Sequence, residues 1–167
     1  MHIRDARCAN LLGAACVSVS EAVTDAVERA VGAGGALPAA LITIDAYPHR
    51  SIEELRTALG ISQPGTVRLV DRLEREGWAQ RRAGDGRAVA VALTPSGRRV
   101  VKRLLAARDE ALAGALEPLG VTERGQLIPI LEKLLAAQTR ERRDLEHICR
   151  LCHRSSCESC PVAGALR

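Results

Sequence analysis

Four cysteines near the end of the chain, Cys149, Cys152, Cys157 and Cys160, are spaced Cys-x2-Cys-x4-Cys-x2-Cys, with His153 beside the second and Pro161 after the last. Two Cys-x2-Cys pairs can each chelate an ion as thiolates, and four thiolates suit tetrahedral zinc. The first expectation is a structural zinc held by these four residues in each chain, with His153 as a substitute ligand. The same residues support other chemistry. A reversible dithiol switch uses the Cys-x2-Cys unit directly. An iron–sulfur cluster is a third reading, although the spacing departs from the common ferredoxin run. Cys149-Arg150-Leu151-Cys152-His153 also matches the c-type haem attachment pattern, a coincidence in a chain read as cytoplasmic. The plainest reading is a flexible tail of reduced thiols.

No nucleophile–base pair, phosphate-binding loop or paired-carboxylate motif appears, so the chain is not expected to be an enzyme. The second set of chemistry-bearing residues is basic. Between Arg81 and Arg103 stand Arg81, Arg82, Arg87, Arg98, Arg99, Lys102 and Arg103 against a single acid, Asp85, while the whole chain carries only +4. Such a local excess suits a phosphate backbone, and it reads equally as a solvated basic surface.

The elements that must position these residues follow from periodicity and caps. About Asn10 to Val31 the apolar residues repeat at three and four, which predicts an amphipathic helix. A second helix, about Leu37 to Tyr47, stops near Pro48. Ser51-Ile52-Glu53-Glu54 is a capping box that opens a short helix ending at Gly60. Ser62 then caps a second short helix, with Pro64 in its first turn, closed by Gly77. Two short helices joined by a Gly-containing turn predict a helix-turn-helix. Trp78 to Arg82 and Arg87 to Leu93 read as two strands around the turn Ala83-Gly84-Asp85-Gly86. Thr94 caps a long helix, about Pro95 to Leu116, and Thr122 opens a last one reaching about His147, with Pro129 as a bend. The fold class is mainly α with a small β-hairpin wing.

Placing Val70 on the core side of the second short helix puts Thr66, Val67 and Leu73 near the same face and Pro64, Gly65, Arg68, Arg72 and Arg75 opposite. The N-terminal end of such a helix is the part that enters a major groove. There Gln63 can pair with adenine and Arg68 with guanine. Gly65 admits close backbone approach, and Ser62 with the free first-turn N–H groups can hold a phosphate. The predicted DNA contacts are Ser62, Gln63, Gly65, Thr66, Arg68 and Arg72, joined by Asp85 and Arg87 of the wing. Arg72 and Arg75 also read as solubilising residues paired to Asp71 or Glu76. Arg87, at a hairpin tip, suits a narrow minor groove, with Asp85 holding its guanidinium.

In this stretch the sequence resembles the MarR family of winged-helix regulators. The resemblance is carried by Leu59-Gly60-Ile61-Ser62-Gln63-Pro64, by Arg68-Leu69-Val70-Asp71-Arg72-Leu73-Glu74-Arg75-Glu76-Gly77, by Asp85-Gly86-Arg87 and by Leu93-Thr94-Pro95-Ser96-Gly97. It covers roughly residues 9 to 147. It implies a homodimer held by the first and last helices, with recognition helices in successive major grooves of a pseudo-palindromic operator and wings in the flanking minor grooves. It also implies repression relieved by a small ligand, metal or oxidant, the Cys-rich tail being the alternative sensor. Trp78 departs from the aliphatic residue usual in the family and is expected at the base of the wing. Cys8 lies near the reactive cysteine of the family's organic-peroxide sensors, though their Tyr partners have no counterpart here. Cys16 reads as a small core residue.

The organisation this implies is a dimerisation helix over 1–34, a DNA-binding winged helix over 35–97, dimerisation helices over 98–147 and the Cys-rich tail over 148–167. Phe is absent, and Trp78 and Tyr47 are the only aromatics. A core of small side chains gains from extra area at a subunit interface, since burial contributes roughly 25 cal/mol per Å². No run approaches the length of a membrane span, and no secretory segment opens the chain, so no membrane partner is expected.

Overall fold

The computed structural model describes residues 3–83, 89–157 and 159–166. Eight helices and one hairpin follow in order among them: α1 (Ile3–Val31), α2 (Leu37–Ala46), α3 (Ile52–Leu59), α4 (Gln63–Arg75), β1 (Ala79–Ala83), β2 (Val89–Leu93), α5 (Pro95–Leu116), α6 (Val121–Gln138), α7 (Arg142–Ile148) and α8 (Pro161–Gly164), with a 3-10 turn at Arg154–Ser156. None of the described helices is long and apolar enough to cross a membrane.

The core forms around α2, whose residues Leu37 to Ile44 are all buried. Val27 and Val31 of α1, Leu55 and Leu59 of α3, Val70 and Leu73 of α4, Val91 and Leu93 of β2, and Val100, Val101 and Leu104 of α5 close around it. α1 lies along α5 in the most extensive helix pair of the molecule.

The caps predicted at Ser51, Ser62 and Thr94 are present. The Ser51 hydroxyl accepts from the Glu54 N–H at 3.2 Å, and the Glu54 carboxylate accepts from the Ser51 N–H at 2.8 Å. These hydrogen bonds from Ser51, backbone first, hold Glu54 below the usual carboxylate range, with Arg50 adding a smaller attraction. Gly60 ends α3 with φ 65°, a left-handed conformation that only glycine adopts without strain. Ser62 caps α4 through the Gly65 N–H at 3.3 Å, and Thr94 caps α5 through the Gly97 N–H at 3.0 Å.

The hairpin is antiparallel, with Ala79 opposite Leu93 and Ala83 opposite Val89. The Arg50 carbonyl accepts from the Val91 N–H at 3.0 Å, and Ser51 bridges to Ala90, so the link before α3 lies along the outer edge of β2. The helix-turn-helix and the wing are therefore one body.

Three boundaries differ from expectation. α1 begins at Ile3, so Cys8 is inside the helix and exposed, and Cys16 is exposed as well rather than in the core. β1 starts one residue after Trp78. The last long helix is two: α6 ends at Gln138, Thr139 turns the chain, and α7 starts at Arg142. At the start of α6 the cap is Gly120, whose N–H donates to Glu123 at 2.8 Å, rather than Thr122.

Losing the reciprocal cap should cost about 1 kcal/mol. We expect Ser51→Ala and Glu54→Ala to unfold at lower urea concentration than the wild type at neutral pH. Because the Glu54 pKa is depressed by folding, its contribution is present above the ordinary carboxylate range and lost as the pH falls through the lower folded value. The gap between wild type and Glu54→Ala should therefore narrow below about pH 4.

Candidate nucleic-acid interface

α4 turns a clear face outward. Thr66, Val70 and Leu73 are buried, whereas Ser62, Gln63, Pro64, Val67, Arg68, Asp71 and Arg75 are exposed and Gly65 and Arg72 are half-buried. Arg68 and Arg72 lie one turn apart on the outer side, and among the described residues neither is in an ion pair. Two guanidiniums with no ion-pair partner among the described residues thus lie on the outer side of a capped helix, Arg68 in its first half and Arg72 a turn further on. This is the arrangement needed to reach base edges or phosphates.

Two expected placements on α4 need correction. Thr66 is completely buried, and its hydroxyl donates to the Ser62 carbonyl at 3.0 Å, so it secures the first turn and does not reach DNA. Val67, expected on the core side, is instead 38 % exposed beside Arg68. The predicted phosphate-binding N–H groups also shrink in number. Pro64 has none and the Gly65 N–H is taken by Ser62, which leaves at most the Gln63 amide.

Arg81, counted in the basic patch, is not free for phosphate. Its guanidinium binds Asp71 at 2.6 Å and Glu74 besides, and its backbone N–H donates to Glu74 at 2.7 Å. This clamp fastens β1 to the outer side of α4 and offsets one of the two acidic charges. It also shows why Asp71 does not pair with Arg72 or Arg75. Asp85 and Arg87 at the wing tip lie outside the described residues.

The wing is seated on α5 at its base. The Trp78 N–H donates to the Leu73 carbonyl at 2.9 Å, and the Trp78 carbonyl accepts from the Thr94 N–H at 3.0 Å. The Thr94 hydroxyl donates to the Gly77 carbonyl at 2.7 Å. The Trp78 ring packs on the core, as expected for a residue at the wing base. An open cavity of about 500 Å³ lies beside α4, lined by Gly34, Leu37, Ile61, Arg68 and Arg72 and by no aromatic residue.

The four tail cysteines come into one neighbourhood but do not form a ligand set. The Cys149 thiol hydrogen-bonds Cys152 and also interacts with Cys160, while Cys157 interacts with Cys160. Cys149 is buried, Cys152 and Cys160 are half-buried, and Cys157 is exposed. Among the described residues no three His, Cys, Asp or Glu side chains are gathered so as to hold a metal ion. His153 is engaged elsewhere, its Nδ1 lying 2.6 Å from the Asp109 carboxylate on α5. The hydrogen bond from Cys149 holds the Cys152 thiol down at about 6 against the effect of burial, with Arg108 and Arg154 contributing. The same contact with Cys152, together with burial, pushes Cys149 up.

Sequence reasoning missed how the tail docks. Glu146 of α7 binds Arg50 at 2.5 Å with both side chains nearly buried. Arg50 and Arg154 both stack on the Tyr47 ring, at 3.9 and 4.4 Å, and Arg154 donates to the Tyr47 hydroxyl at 2.6 Å. These pairs are about a hundred residues apart in sequence, so no local pattern announces them.

A capped two-helix unit, an exposed basic helix face and a hairpin clamped to it define a winged helix-turn-helix protein. Residues 39–88 match the sequence profile of the MarR family. The transcriptional repressor MprA of Escherichia coli K12 is 35 % identical over 112 residues, covering 65 % of this chain and 64 % of the relative. The chain thus spans under two thirds of the length of that curated relative. MepR, described as a transcription regulator of the Staphylococcus aureus multidrug efflux pump MepA, superposes with a TM-score of 0.69 at 20 % identity, covering 77 % of this chain and 96 % of MepR. A MarR variant from E. coli complexed with operator DNA superposes with a TM-score of 0.57 at 21 % identity, covering 76 % of this chain and 92 % of its own. Over its winged-helix region the chain is similar to the MarR family.

Gly97 faces the wing base so closely that an added Cβ would collide with the Trp78 carbonyl oxygen and stand 2.9 Å from its carbon. Backbone cannot swing aside as a side chain does. Gly97→Ala should therefore destabilise the protein by about 1–3 kcal/mol, read as a lower thermal midpoint, and should displace the wing from the start of α5.

Proposed function

We propose that this chain is a sequence-specific DNA-binding transcriptional repressor that acts as a homodimer on a pseudo-palindromic operator in the cytoplasm. The observation that carries the reading is the pair on the outer face of α4, exposed Arg68 and half-buried Arg72, free of ion pairs among the described residues. α4 enters the major groove with Gln63, Gly65 and Arg68 toward the bases and Ser62 and Arg72 toward the backbone. The wing, with Arg87 supported by Asp85, enters the adjacent minor groove. The repressor MprA and the operator-bound MarR variant support this reading by likeness. A small effector that displaces α4 would release the DNA, and the cavity beside Arg68 and Arg72 is a suitable place for it.

The dimer is argued from an unfinished surface. α6 runs for 18 residues with none of them buried. Ile128, Ile130, Leu131 and Leu134 are exposed on it, as are Leu11, Leu12 and Val17 on α1. Contiguous apolar patches of this kind mark interfaces. A second copy placing its own α1 and α6 here would cover both sets.

Two measurements test the proposal. Duplexes selected from a random pool should bind with a steep salt dependence. Arg68→Ala should weaken the selected site by about tenfold or more, the value of a bidentate base contact, and Arg87→Ala should weaken all sequences alike. Unchanged binding by both would defeat the DNA-reading model. In sedimentation equilibrium the wild type should run as a dimer and Leu131→Glu as a monomer of unchanged helicity; a wild-type monomer at micromolar concentration would defeat the interface.

A further inference from the structure

The tail is the part of the molecule that DNA reading does not use, yet it is folded onto the rest at several points. α7 is held to the helix-turn-helix by Glu146 and Arg50. Immediately after it, His153 holds α5 through Asp109, and Arg154 holds the end of α2 through Tyr47. Leu151 packs on the main core between these anchors. Cys149 and Cys152 stand at the joint between them.

The joint has the geometry of a disulfide that has not yet formed. The Cys152 N–H donates to the Cys149 carbonyl at 3.1 Å, closing a tight turn. Such a turn keeps its end Cα atoms within about 7 Å, and a disulfide spans about 4.4–6.8 Å. Across this turn the two thiols are close enough to interact. Their surroundings differ in the way a reactive pair requires. Cys152 is half-buried with the guanidiniums of Arg108 and Arg154 nearby, whereas Cys149 is only 6 % exposed and lies behind it. Reactive cysteines sit in electropositive, partly exposed places, and buried ones without such neighbours are inert.

We propose that Cys152 is an oxidation site and Cys149 its resolving partner, forming a dithiol–disulfide couple that consumes hydrogen peroxide. The Cys152 thiolate attacks one peroxide oxygen. An S–O bond forms, the O–O bond breaks, and the leaving hydroxide takes the proton that Cys152 gave up, as water. Cys149 then attacks the sulfenic sulfur. The S–S bond forms, the S–O bond breaks, and the second water leaves with the Cys149 proton. Two thiols are oxidised by two electrons and one peroxide is reduced to two waters. Oxidation ties Cys149 to Cys152 and fixes the turn that spaces the α7 anchor from the Asp109 and Tyr47 anchors. The chemistry stands apart from the DNA-reading proposal; only its effect on operator affinity rests on that proposal.

The test uses the full chain, purified reduced and treated with hydrogen peroxide near stoichiometric amounts. Intact mass should fall by about 2 Da per chain as two hydrogens leave, and peptide mapping should join Cys149 to Cys152. Cys149→Ser should leave a sulfenic acid on Cys152 that dimedone captures, and Cys152→Ser should oxidise at least about tenfold more slowly. Circular dichroism checks that both variants fold; if Cys149→Ser does not, the wild-type peptide map decides alone. A disulfide mapped to another pair, or equal oxidation rates with and without Cys152, overturns the proposal. So does protein that retains stoichiometric zinc through purification and resists peroxide until a chelator is added, which returns the four thiols to the zinc reading. A disulfide that forms as expected while DNA binding is absent leaves the couple standing and removes the DNA-reading model instead.

Discussion

Gly97 rests against the carbonyl of Trp78, and the geometry linking the helix-turn-helix to the long helices is set at that contact. The last turn of α4 hands over to Gly77 and Trp78. Thr94 takes the carbonyls of both, through its hydroxyl and its N–H, while capping α5 with the same hydroxyl. One threonine therefore ties the end of the recognition helix, the root of the wing and the start of α5. A side chain at residue 97 would hold these apart. Because α1 lies along α5, a shift at this point would move the reading helix relative to any interface built from α1 and α6. A bistable interface needs such a rigid link, since packed cores transmit displacement rather than absorbing it.

The clamp from Arg81 to Asp71 and Glu74 serves the same rigidity on the outer side. These are partly exposed pairs, worth little as stabilisation when taken singly. Their effect is on charge and direction. They offset one of two negative charges that would repel a phosphate backbone, and they spend one arginine of the basic run in doing so. The net basic character of the reading face therefore rests on Arg68 and Arg72, with Arg75 toward the helix end. A total of basic residues along the sequence overstates what DNA would meet.

Much of this was legible in advance, and the reasons for the exceptions are physical. Caps are local, and Ser51, Ser62 and Thr94 were each found in the role their spacing predicts. α5 has the predicted bounds because Thr94 and Pro95 start it sharply. Thr66 and Val67 were misplaced because a helix wheel fixes relative angles but not where the core boundary falls. The break after Gln138 was missed because Pro129 drew attention as the bend, whereas the chain accommodates Pro129 within α6 and turns at Thr139. Arg81 was misread because its partners lie on another element across the Gly77 turn. The tail's spacing suggested four equivalent ligands; the fold makes them unequal, burying Cys149 and exposing Cys157.

The tail's attachment raises an energetic question of its own. Arg50 and Glu146 lose most of their hydration on pairing, and a buried pair often gains no net stability over apolar residues of the same size. What such a pair supplies is selectivity, because either charge left alone would be costly. The tail can therefore dock in this register or undock, with poor alternatives between. Arg50 also stacks on Tyr47, the ring that Arg154 grips, so the anchors on either side of the Cys149–Cys152 turn meet on the same aromatic. A change in the turn between them is felt by both. Tyr47 ends α2, the helix around which the core is built, so the tail's position is coupled to the body that carries α4 and the wing.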